Sequence, residues 1–120
     1  MTIKDVKELI HANVLCGEEY LDKEVHAACG SDMMSDVLAF VKDQAVLLTG
    51  LCNPQVIRTA MMMDIICVVF VRSKHPSEDM VEMADDAGIV LLETGHRMFS
   101  SCGILYANGL RGGMDYERLH

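Results

Sequence analysis

The chain contains no tryptophan and only three tyrosines and three phenylalanines. Its core therefore has to be aliphatic, with the ten methionines filling irregular gaps. Basic residues are scarce: 10 Lys and Arg stand against 18 Asp and Glu, for a formal net charge of −8. A field of that sign repels phosphodiester backbones and anionic lipid, so nucleic acid and membrane surfaces are excluded as default partners. No apolar run reaches the roughly 18–20 residues of a membrane span, and the first thirty or so residues lack a signal peptide's basic start and apolar stretch. Close cysteine pairs are missing too. Cys16, Cys29, Cys52, Cys67 and Cys102 are odd in number and form no C-x-x-C pair, which argues against a disulfide framework and against a zinc or iron–sulfur site. Reduced thiols on an acidic globular chain predict a cytoplasmic protein. The signatures G-x-S-x-G, G-x-x-x-x-G-K-[ST] and G-x-G-x-x-G do not occur.

What is present is an ordinary globular balance, 51% hydrophobic and 23% charged over 120 residues, enough for one domain. We place that domain at residues 1–110, followed by a polar C-terminal tail at 111–120. Thr2 caps a first helix whose apolar face is Ile3, Val6, Leu9 and Ile10. Short extended pieces follow at 14–16 and 25–29, and Ser31-Asp32 offers a cap for a helix over 33–42. The pattern then becomes regular. An apolar strand over 45–49 leads to Asn53-Pro54, a capping side chain followed by proline in the first helical turn, and a helix over 56–63. The β-branched run 65–71 reads as a buried parallel strand. Ser77 caps the next helix, Glu78 and Asp79 suit its dipole, and Gly88 closes it before a strand over 89–92. Thr94-Gly95 introduces a last helix over 96–108. Three strand–loop–helix units require crossovers, so the fold class is α/β: a mainly parallel sheet with flanking helices.

In such sheets ligands bind beyond the carboxyl ends of the strands, where loops meet helix N-termini. Those positions hold Ser31 and Asp32, then Thr49, Gly50, Cys52 and Asn53, then Arg72, Ser73 and Lys74, then Thr94 and Gly95. Small hydroxyls, backbone amides and two cations suit a phosphate or carboxylate, as on an adenine nucleotide. Capping alone also accounts for Ser31, Asn53, Ser77 and Thr94, and both readings stay open. Cys52 immediately precedes a helix start, which would lower its thiol pKa and make it reactive. Cys67 and Cys102 read as core, the latter beside Phe99 and Tyr106. Asp32 and Asp36 share a helix face without a third ligand, so no metal or cofactor is expected. No nucleophile, base and orienter come together, which points away from catalysis.

Two stretches carry a family resemblance. The run Gly17-Glu18-Glu19-Tyr20-Leu21-Asp22-Lys23-Glu24-Val25 and the run Ser31-Asp32-Met33-Met34-Ser35-Asp36-Val37-Leu38 resemble the G-x-x-x-L-D-R-E-V and S-D-L-L-S-D-V-[ML] segments of DRTGG domains, in the same order. Lys23 stands where that family has Arg, and Ala27-Ala28 where it has a glycine pair. The resemblance implies a fold similar to the N-terminal domain of HPr kinase/phosphatase. It also implies a regulatory module that senses a ligand or makes subunit contacts. Free-standing copies occur beside iron-only hydrogenase and redox-complex genes in anaerobes. The expectation is therefore a non-catalytic module, forming a homodimer through the region 25–38 and binding a small anion. The alternative is an accessory factor for metallo-enzyme assembly with a redox-enzyme partner, using Cys52 and Cys16 or Cys29.

Overall fold

The computed structural model describes residues 1–40 and 43–112. In chain order these form α1 (Ile3–Leu9), β1 (Asn13–Cys16), a 3-10 turn (Glu18–Tyr20), β2 (Ala27–Gly30), α2 (Met34–Leu38), β3 (Ala45–Thr49), α3 (Pro54–Met62), β4 (Ile65–Phe70), α4 (Glu78–Asp86), β5 (Val90–Glu93) and α5 (Met98–Ala107). The sheet order is β1-β5-β4-β3-β2. The strands from β2 to β5 run parallel, and β1 joins β5 antiparallel at the edge.

From β2 to β5 each strand lies beside its predecessor, always stepping the same way across the sheet. Right-handed crossovers then put α2, α3 and α4 on one face. Their buried residues Met34, Val37, Val56, Ile57, Ala60, Met80 and Ala84 pack on Ala45, Leu47, Val68, Phe70 and Leu91. The other face carries α1 and α5, with Ile3, Val6 and Leu105 against Val46, Leu48, Cys67, Val69 and Leu92. Strand β3 thus alternates between two cores, which is why all of it is apolar up to Thr49.

The caps largely follow the sequence. Thr2 accepts from the Asp5 amide at 3.1 Å while Asp5 accepts from the Thr2 amide at 2.9 Å, and these bonds hold the Asp5 carboxyl below the usual range. Asn53 and Ser77 cap α3 and α4. Two helices differ from expectation. α2 has Met33 at its N-cap with no side-chain cap, because Ser31 Oγ accepts from the Met33 amide in a local turn and Asp32 points elsewhere. It also stops at Leu38, where Ala39 and Phe40 tighten into bonds to Asp36 and Val37; its expected end at Lys42 lies outside the described residues. α5 starts at Met98 rather than His96, because Thr94 Oγ1 accepts the His96 amide and holds residues 94–96 in a turn.

Arg111, expected at the start of the tail, is packed. Its carbonyl accepts from Ala28 on the open side of β2 at 2.8 Å, and its guanidinium lies 3.9 Å from the Tyr106 ring centre. Residues 113–120 lie outside the described part. No helix of the described residues is long and apolar enough to cross a membrane.

Candidate functional site

The ends of β4 and β5 are where this topology should open a crevice. β4 feeds α4 on one face and β5 feeds α5 on the other, so their loops part company there. The chain closes that gap with its own backbone. Arg72 and Ser73 are both left-handed, at φ 60° and 57°. That turn lets the Arg72 amide donate to His96 O and the Ser73 amide to Thr94 O, each at 2.9 Å. Neither residue is glycine, asparagine or aspartate, so this conformation carries backbone strain.

Thr94 and Gly95 belong to that closure. Thr94 is buried; its hydroxyl donates to Ile10 O at 2.7 Å and accepts from His96, which ties the end of α1 to the end of β5. Both hydrogen-bonding directions of the hydroxyl are therefore used internally. Beside it, His75 and Glu93 pair at 2.6 Å. The start of α3 is equally occupied. Pro54 has no amide hydrogen, Gln55 donates to Asn53 Oδ1 at 2.9 Å, and Val56 donates to Asn53 O at 3.1 Å. The α3-start amides are thus taken up by the chain itself, whereas the α5 start at Arg97 has no side-chain cap.

The ends of β2, β3 and β4 are arranged differently. Gly50 donates to Asp32 Oδ1 at 2.6 Å, Thr49 Oγ1 lies 3.2 Å from the same oxygen, and the Leu51 amide donates to Thr49 Oγ1. The Arg72 guanidinium reaches across to Gly50, so closely that a side chain there would collide with it. Among the described residues that guanidinium has no carboxylate or hydrogen-bond partner. Lys74 is exposed and close enough to Cys52 to favour its thiolate. Ser31, Asp32, Thr49, Gly50, Cys52, Arg72 and Lys74 thus share one end of the sheet, while Thr94 and Gly95 serve the closure and Asn53 serves as a cap.

Cys52 departs from its expected chemistry. Burial pushes its thiol above the ordinary value, with Lys74 opposing only in part. Burial raises the Cys16, Cys29, Cys67 and Cys102 thiols as well. Cys102 is only partly buried, and its expected companions are more open still: Phe99 is 89% exposed and Tyr106 48%. Sequence reasoning missed one feature, a pocket of about 210 Å³ between β2 and α5, lined by Gly30, Cys102, Leu105, Tyr106, Leu110 and Arg111. Nothing in the sequence signals it, since it forms only when the chain after α5 returns to β2.

The DRTGG domain profile matches residues 5–106. This chain belongs to the DRTGG domain family. Among solved structures it is similar to the CBS and DRTGG domains of the regulatory region of Clostridium perfringens pyrophosphatase, complexed with its activator diadenosine tetraphosphate. The TM-score is 0.69 at 14% identity, over 87% of this chain and 45% of that one. The DRTGG chain therefore spans less than half of that regulatory region. No curated protein matches. At the positions that depart from the DRTGG pattern, Lys23 sits 4.7 Å over the Tyr20 ring and Ala27-Ala28 are regular strand.

Proposed function

We propose that this DRTGG domain is a non-catalytic regulatory module that binds a small anion of the adenine-nucleotide class over the ends of β3 and β4, and that it acts as a homodimer. Arg72 carries the ligand reading. A strained backbone holds its guanidinium over buried Gly50 with no partner among the described residues, on a protein whose acidic residues outnumber its basic ones. The bonds to His96 and Thr94 account for the left-handed backbone; what supports the binding role is the exposed guanidinium left without a partner among the described residues at the strand ends. The activator in the solved pyrophosphatase region supports the ligand class. A net charge of −8 opposes any anion, so the expected affinity is modest, on the order of 10–100 μM, and weakens with salt.

Adenosine diphosphate at about 100 times its dissociation constant should add roughly 2.7 kcal/mol of stability, a melting shift of roughly 5–15 °C. Arg72→Gly suits the left-handed backbone and should leave the unliganded melt within a few degrees while removing most of the shift. An undiminished shift in that variant contradicts the site.

Self-association rests on exposed apolar side chains. Met33 and Leu38 on and beside α2 are 61% and 47% exposed, within the region 25–38. A second copy is the covering partner we propose, through a symmetric contact. Sedimentation from micromolar to near-millimolar concentration should show the dimer; a monomer throughout contradicts it. The alternative in metallo-enzyme assembly needs an activated Cys52, and no observation favours it. Among the described residues no three His, Cys, Asp or Glu side chains gather as metal ligands would.

A further inference from the structure

Asp32 follows β2 and immediately precedes the N-cap of α2, where an acidic side chain would ordinarily serve its own helix. It does not. The α2 N-cap, Met33, has no side-chain cap, and the Asp32 carboxylate is turned across to the neighbouring strand. There the Gly50 amide reaches Oδ1 at 2.6 Å and the Thr49 hydroxyl reaches the same oxygen at 3.2 Å. The Arg72 guanidinium lies alongside, against Gly50. A main-chain amide and a hydroxyl converging on one anionic oxygen form a donor pair of the kind that binds a ligand's phosphoryl or carboxylate oxygen, and the Arg72 guanidinium stands against Gly50 without pairing with the Asp32 carboxylate. Asp32 is itself an exposed residue, and among the described residues its other oxygen makes no hydrogen bond. Its attachment is thus confined to the oxygen that fills the donor set.

We propose that Asp32 is a tethered anion that keeps this subsite closed, and that a ligand binds by displacing its carboxylate from Gly50 and Thr49. The proposal rests on the anion-binding reading of Arg72 and adds what the site selects. A tethered competitor is present at an effective concentration in the millimolar range or above. A single free carboxylate cannot outbid it, whereas a phosphate ester or polyphosphate brings more charge to Arg72 and Lys74. The resident carboxylate therefore sets a threshold that favours multiply charged phosphoryl ligands over monocarboxylates.

The test is calorimetric titration of the full chain with inorganic phosphate, adenosine diphosphate and acetate at fixed ionic strength. Asp32→Asn keeps the shape and an acceptor oxygen but removes the charge; Asp32→Ala vacates the subsite. Both should bind inorganic phosphate about tenfold tighter than the wild type, since a like charge near the ligand has gone. Acetate binding should become measurable in Asp32→Ala alone. Combining Asp32→Ala with Arg72→Gly should cancel the gain. Variants that melt cooperatively yet bind phosphate no tighter than the wild type overturn the proposal and leave Asp32 as a loop anchor. Unchanged nucleotide binding in Arg72→Gly overturns the anion-binding reading itself. Binding lost in Arg72→Gly with no gain in Asp32→Ala refutes only the role given to Asp32.

Discussion

Phe70→Ala is expected to cost about 3–5 kcal/mol, a large share of the roughly 5–15 kcal/mol that holds a domain of this size together. Among the described residues Phe70 is the largest of the fully buried side chains, and it packs in the core between the sheet and the helices α2, α3 and α4. Its backbone is equally committed, since Phe70 O accepts from Thr94 N at the β4–β5 boundary. Three methionines, Met34, Met63 and Met80, belong to the same cluster, and their flexible chains can relax toward the cavity. The cost should therefore fall near the lower end, about 3 kcal/mol. Urea unfolding followed by circular dichroism would read it as a fall in midpoint at unchanged slope. A loss below about 1 kcal/mol would mean that the cluster is not the close-packed core described here.

Alkaline pH should destabilise the fold through Cys67. The thiol is fully buried at mid-strand in β4, and burial pushes its pKa well above the ordinary value. The unfolded chain releases this proton near pH 8.5–9, whereas the folded chain retains it. The stabilisation is therefore fully present below about pH 8.5 and is lost as pH rises from there, at up to about 1.4 kcal/mol per pH unit. From pH 9 to 10.5 this amounts to about 2 kcal/mol. The other four thiols shift the same way, but solvent reaches them and their share is smaller. Cys67→Ala lowers stability at neutral pH by removing packed volume, yet should flatten the decline above pH 9. Parallel declines in the two proteins would show that Cys67 is not the group responsible.

Much of the architecture was legible because period and punctuation agreed. The run Ala45–Thr49 is apolar at every position before Thr49, Asn53-Pro54 starts a helix by capping and fixed φ, and Ser77 does the same for α4. The last helix was harder. Its sequence is apolar nearly all round, so periodicity could not separate buried Ser101 and Leu105 from exposed Phe99. The site was legible only as a set of strand-end positions. What each residue does there depends on contacts between loops far apart in sequence: Thr94 to Ile10, Asp32 to Gly50, Arg72 to His96. The left-handed pair Arg72-Ser73 carries no glycine, asparagine or aspartate to announce it. It exists because the β4 and β5 ends bond to each other, a tertiary cause that local pattern does not encode.

The proposed ligand site is tested most directly by nuclear magnetic resonance, titrating adenosine diphosphate into uniformly nitrogen-labelled protein and following backbone amides. The largest shifts are expected at Gly50, Arg72, Ser73 and Lys74, with the Gly50 amide responding most strongly because its hydrogen bond to Asp32 is exchanged for one to phosphate. Shifts centred on Ala28, Gly30 and Leu105 in the pocket beside α5, or no shifts at millimolar nucleotide, would contradict a sensing site at the ends of β3 and β4.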